Sequence, residues 1–219
     1  MKNIILKTSE LENNVSSEIT EDQNILCIVD KELSLSFHFA IQEAVHFQCI
    51  FLIKNVSSNI DCKIFINKEE AQVSLLGCYD LNDNQEMSFT SEIHHKKEKT
   101  YASQLFKGLL KDSSSATFKG KIFVLPQSQK IESFQMNQSL LTSPLARHIS
   151  SPELYIYADD VKCSHGSTTG FISNEELFYL ESRGISKVKA KILLEQAYLK
   201  EVSLHIKHSE HYEKFISLF

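Results

Sequence analysis

The stretch Pro152–Gly184, PELYIYADDVKCSHGSTTGFISNEELFYLESRG, decides how the rest of the chain is read. It opens with alternation: Leu154 and Ile156 against Tyr155 and Tyr157, a strand with two usable faces. Asp159, Asp160, Lys162, Cys163, Ser164 and His165 follow, then Gly166 and Gly170 bracket a run of small hydroxyl residues, which reads as a polar turn. Ser173 and Glu176 have the spacing of a capping box, and Gly184 is placed as a helix terminator. The stretch therefore joins an alternating front, residues 1–170, to a helical tail, residues 171–219.

Upstream, the period is two almost throughout. Ile25, Cys27 and Val29 alternate, then Leu33, Leu35, Phe37 and Phe39 alternate with Ser34, Ser36 and His38. Phe47, Cys49 and Phe51 continue the pattern, as do Ile64 with Ile66, Val73 with Leu75, and Met87 with Phe89 and Ile93. Short strands at such spacing fit either a sandwich or a solenoid of stacked coils, and no clean repeat separates the two. Residues 1–24 read as a frayed end or an edge strand. With six glycines and three prolines, Ser, Asn and Asp must supply many corners. Downstream the period turns helical. A second helix starts after Ser186, with Val188, Ala190, Leu193, Leu194, Ala197 and Tyr198 as its apolar stripe. A third starts near Ser209 with Tyr212, Phe215, Ile216 and Phe219.

Composition narrows the function. The 219 residues are 42% hydrophobic and 23% charged, enough for a real core. A net charge of −5 gives no electrostatic reason for a nucleic-acid partner. No run reaches the ~18 apolar residues of a membrane span, and the first residues show no signal-peptide pattern. Five scattered cysteines with no CxxC pair predict reduced thiols in a cytoplasmic protein and write no local zinc or stable cluster site.

Several residues invite chemistry. His94 and His95 are adjacent, so in a strand they diverge and cannot chelate; a solvated or strand-edge role is expected. Asp159 and Asp160 suggest an acid–base pair, but capping the turn and pairing with Lys162 fits neighbours better. Ser164–His165 has no third group to form a triad, and no Walker-type phosphate loop is present. Cys163 and His165 share a face if the backbone is extended, offering thiolate and imidazole to a soft metal. Taken alone, those residues fit a buried small apolar Cys163 and a His165 bonded to a carbonyl better.

DDVKCSHGSTTG followed by LFYLESRGI resembles the SufB/SufD family of iron–sulfur cluster assembly scaffolds, and within it the SufD branch. Members of that branch read close to YADDVKCSHGATVG and LFYLRSRGI; here Ser167 replaces the usual Ala and Thr169 the usual Val. Phe118–Ile122 (FKGKI) and Gln135–Leu141 (QMNQSLL) resemble further family motifs. The resemblance implies a mainly β fold, a right-handed parallel β-helix with a small C-terminal helical unit. It implies a scaffold subunit and not an enzyme, pairing with a SufB-like chain through the terminal strands and docking a SufC-like ATPase on the tail. Leu177, Phe178, Tyr179, Arg183 and Gly184 are the docking residues it suggests. His165, with Cys163 second, would lie where the subunits meet and act as a transient metal ligand. No cofactor would be stably bound; the cargo is a nascent cluster or iron, and the isolated chain could pair with itself. Members usually begin with an additional helical region that this sequence lacks, which allows a reduced or diverged subunit. Two other readings compete: a carbohydrate-active enzyme using Asp159 and Asp160, with an aromatic groove beside them, and a purely structural β protein.

Overall fold

The computed structural model describes residues 2–219. Thirteen strands alternate between two all-parallel sheets. The odd sheet holds, in spatial order, β1 (Lys2–Lys7), β3 (Gln23–Val29), β5 (His46–Lys54), β7 (Gln72–Leu81), β9 (Tyr101–Leu110), β11 (Ile131–Leu141) and β13 (Val161–Phe171). The even sheet holds β2 (Asn14–Ile19), β4 (Leu33–Ile41), β6 (Ser58–Ile66), β8 (Glu86–His95), β10 (Ser115–Val124) and β12 (Arg147–Ile156). Each strand pairs in register with the strand two before it, so the chain winds as a solenoid of stacked coils and is no antiparallel sandwich. Lys2–Lys7 and Asn14–Ile19 are the first strands of this stack, at one edge of each sheet, settling the frayed-end alternative.

Parallel register sorts side chains into columns. One interior column of the odd sheet runs Ile4, Ile25, Cys49, Leu75, Gln104, Gln135, His165. The first coils enclose a dry core, where Phe37, Phe39, Phe51, Phe89, Phe106 and Phe118 pack with ring centroids 4.6–6.3 Å apart. Beside that core, from β8 onward, the interior also carries polar side chains. Ser91 donates to Gln104 at 2.7 Å, Gln104 to Gln135 at 3.2 Å, and the buried Tyr79 phenol shares a 2.6 Å bond with Ser139. Here the hydrophobic rule is inverted: Gln135 and Asn137 are buried while Phe134 and Met136 face outward.

Corners use left-handed residues at Asn55, Glu70, Asp83, Lys99, Asp112 and Lys130. Asn and Asp take half of these positions, as the scarcity of glycine suggested, but Lys and Glu take the others.

The tail is α1 (Asn174–Ser182), α2 (Lys187–Lys200), a short 3-10 turn over Glu201–His205, and α3 (Ser209–Leu218). Ser173 caps α1 by accepting from the Glu176 N–H at 3.3 Å, and Gly184 turns at φ +82. The tail covers the outer face of the odd sheet: Leu199, Val202 and Phe215 pack on Leu26, Ile28, Ile50, Leu52, Leu76 and Leu109. Those strands are buried on both faces and so carry continuous apolar runs. The stripe expected on α2 needs correction. Ala190 and Leu199 face the sheet, whereas Val188 and Leu193 are exposed; on the sheet-facing side Lys111 bridges Asp80 at 2.8 Å and Glu195 at 3.8 Å, and the buried Lys107 pairs with Glu201 of the following turn.

Candidate functional site

The interval read as a polar turn is a strand. Val161–Phe171 pairs residue for residue with β11, from Ile131↔Val161 to Leu141↔Phe171. Polarity does not prevent this, because the four central inward residues of β13 stack on polar inward residues of β11: Cys163 on Ser133, His165 on Gln135, Ser167 on Asn137, Thr169 on Ser139. His165 is exposed because β13 is the last strand of its sheet, and no turn is needed to present it.

Parity fixes where these side chains point. A Cβ added at Gly166 would come 2.8 Å from Met136 Cε on the outer face, so Gly166 faces outward and its neighbours His165 and Ser167 inward. Thr169 is inward too, since its hydroxyl meets His148 Nδ1 of β12 across the solenoid at 2.7 Å. Cys163 and His165 therefore share one face, looking into the open end of the solenoid. Cys163 is half-buried beside Ile122, Val124 and Leu154, and burial pushes its thiol pKa up, offset in part by the Ser133 backbone. The four remaining cysteines are buried free thiols; burial holds Cys27 at about 12.

Sequence reasoning missed His148. Its Nε2 accepts from the Asn137 side-chain N–H (3.0 Å), its Nδ1 meets the Thr169 hydroxyl (2.7 Å), and burial lowers its pKa to about 4, keeping the imidazole neutral. Its signal was available: His148 and Ser150 have the same parity as Leu154 in the alternating run. His95 corrects the solvated reading of the His pair. It is fully buried, bonded to Thr100 at 2.7 Å and Ser133 at 3.0 Å, and burial lowers its pKa to about 3. His94 faces the other side, as strand geometry requires.

Asp159 and Asp160 lie exposed in the bend between β12 and β13. Lys162 pairs with Glu132 at 2.7 Å on the neighbouring strand, not with either aspartate, because parallel register places Glu132 directly beside it. The recess at Asp160 is bordered by Lys130, Ile131, Glu132, Val161 and Lys162, without an aromatic wall, so the groove required for a carbohydrate enzyme is missing there. On α1, Phe178 and Tyr179 are 72% and 58% exposed, Leu177 is half-buried, and Arg183 lies over the Tyr179 ring at 5.4 Å; no α1 residue is buried. This helix is the most outward part of the tail. Among the described residues, no group of three or more His, Cys, Asp and Glu side chains could hold a metal ion.

Residues 38–198 match the family described as SUF system FeS cluster assembly, SufBD core domain. The chain is 32% identical over 178 residues to the iron–sulfur cluster assembly protein SufD of Escherichia coli (strain K12), covering 78% of this chain and 42% of that protein. It is 30% identical over 156 residues to the SufD of Plasmodium falciparum, covering 71% of this chain and 11% of that one. An iron–sulfur cluster assembly SufBD family protein of Synechocystis is 40% identical over 99 residues, 45% of this chain and 22% of that protein. The chain belongs to the SufBD core family and is of the SufD type. It spans less than half the length of these relatives.

Proposed function

We propose that this chain is the SufD-type half of a two-chain scaffold on which an iron–sulfur cluster is built. The supporting observation is the last coil: Cys163 and His165 project from one face at the end of a stack with no further strand on β12 or β13. Two donors cannot complete the four-ligand shell iron prefers in such clusters, so a second chain, SufB-like, must supply the rest across the open end. The raised pKa of Cys163 means the free thiol carries its proton at neutral pH, and cluster binding must displace it. The chain acts as scaffold, not enzyme, in the cytoplasm; no helix is long and apolar enough to cross a membrane among the described residues. A SufC-like ATPase docks on α1 through Phe178, Tyr179 and Arg183, with Leu177 and Gly184 shaping the helix.

The test is anaerobic reconstitution with SufB-family and SufC-family chains, reading iron and sulfide per complex beside the melting temperature. His165→Ala removes an exposed side chain from an ordinary strand position, for which stability changes stay within ~0.5 kcal/mol. Iron and sulfide should fall to background while stoichiometry and melting temperature hold, with Cys163→Ala milder. Parental cluster content in His165→Ala would overturn the site assignment; early melting and failed pairing would give His165 a structural role.

A further inference from the structure

On the outer face of the even sheet, one register row leads from Glu18 on β2 and Ala40 on β4 into four planar rings. These are Phe65 on β6, His94 on β8, Phe123 on β10 and Tyr155 on β12. Successive ring centroids lie 4.7, 4.4 and 4.7 Å apart, the spacing of neighbouring strands, so each ring covers the next. At Ala40 the row has a methyl group where a ring would fit. His94 covers one face of Phe65, and the other borders a recess of about 330 Å³ whose walls include Ser16, Glu18, His38 and Ala40. The recess lies beside β2, the last strand of its sheet on that side, so another molecule can reach it.

The polar groups on these walls all accept hydrogen bonds: the Glu18 carboxylate, the Ser16 hydroxyl and the His38 imidazole. Glu18 is exposed and accepts from the Gln42 side-chain amide at 3.4 Å; no Lys or Arg among the described residues pairs with it. Phe65 adds the negative face of a ring, and the Lys96 ammonium already lies 4.6 Å from its centroid without bordering the recess. Such walls disfavour an anion and select a flat cation, with a face that stacks on Phe65 and edges that donate. Guanidinium meets both demands with a planar group and five N–H donors, whereas ammonium is compact and strongly hydrated. The volume is at the small end of ligand sites and suits one side chain better than a cofactor.

We propose that this recess receives an arginine side chain of a partner polypeptide, its guanidinium stacked on Phe65 and paired with Glu18. The arginine takes the place in the row that Ala40 leaves to a methyl group. The site lies toward the opposite edge of the sheet from β12 and does not depend on the two-chain scaffold reading.

The experiment is an NMR titration of the isotope-labelled chain with end-blocked Gly-Arg-Gly, end-blocked Gly-Lys-Gly and methylguanidinium. Gly-Arg-Gly should move the amide signals of Ser16, Glu18, His38, Ala40 and Phe65, with a dissociation constant on the order of millimolar. Gly-Lys-Gly should bind roughly fivefold or more weakly, and methylguanidinium more weakly than Gly-Arg-Gly. Glu18→Gln should weaken the arginine peptide roughly threefold. Ala40→Phe, which sets a ring in the recess, should abolish its binding with the melting temperature at or above the parent's. Equal response to the two peptides, or shifts confined to other strands, would overturn the assignment. So would parental affinity in Ala40→Phe; if that variant melts early, parental affinity in Glu18→Gln overturns it instead. Methylguanidinium bound more tightly than Gly-Arg-Gly would overturn the polypeptide partner in favour of a free guanidine.

Discussion

His95 is linked to Cys163 through Ser133: its Nε2 meets the Ser133 hydroxyl, and Ser133 is the register partner of Cys163. Its two ring nitrogens face hydroxyls and no carboxylate, so nothing offsets the cost of charging it in a dry site. Burial takes its pKa from 6.5 to about 3. A depressed folded pKa contributes stability fully present above the unfolded value and lost as pH falls toward the folded one. Stability should therefore hold above pH ~6.5 and decline below it, by about 2–3 kcal/mol from this residue at pH ~4.5. His148, lowered to about 4 by burial, adds to the decline in the same direction. Urea midpoints at pH ~7 and ~4.5 check this. His95→Gln, which keeps one donor and one acceptor, should lose less stability over that interval than the wild type; an equal loss would place the acid sensitivity elsewhere.

At the scale of the strand, close packing in the columns depends on missing side chains. Gly108 lies where a Cβ would come 1.8 Å from the Tyr79 ring, and Gly77 where one would come 2.1 Å from the Phe106 ring. Tyr79 is fully buried and tied to Ser139, so it cannot swing aside. Gly108→Ala should lower the melting temperature by roughly 5 °C or more, as overpacking of a close-fitted core does. Gly170→Ala, with no atom within 4 Å of the added Cβ, should leave it nearly unchanged. These elements were unevenly legible in the sequence. Leu33 to Phe39 and the Ser173 cap could be read because one face is apolar and the other wet, and because a cap is a local bond. Sandwich and solenoid could not be separated by pattern, since period two is common to both. β13 was misread because its central inward residues are polar, and what makes them compatible with a strand is the polar stretch of β11 beside them, thirty residues upstream. The rotation of α2 was hidden for a similar reason: the groups it meets, Leu76 and Leu109 of the sheet and Lys111 beside Glu195, belong to distant elements.

On the scale of the whole molecule, the solenoid has an apolar beginning, a polar end and one covered flank. The tail belongs to the fold, because α2, the 3-10 turn and α3 seal the odd sheet; removing it would bare Leu26, Ile50, Leu76 and Leu109 along with any docking site. Its outward helix α1 is free to engage another chain without disturbing that seal. The far end is different. There both sheets stop at once, presenting two parallel edges and the inward pair Cys163 and His165. Exposed edges of that kind are templates for another strand, and native proteins cover them. In the proposed scaffold this end is completed by a second chain. Amide hydrogen exchange of the chain alone and mixed with a SufB-family chain tests it directly. Protection should rise across Arg147–Ile156 and Val161–Phe171, with β1 and β2 unchanged; protection that appears at β1 and β2 instead, or nowhere along β12 and β13, would contradict it.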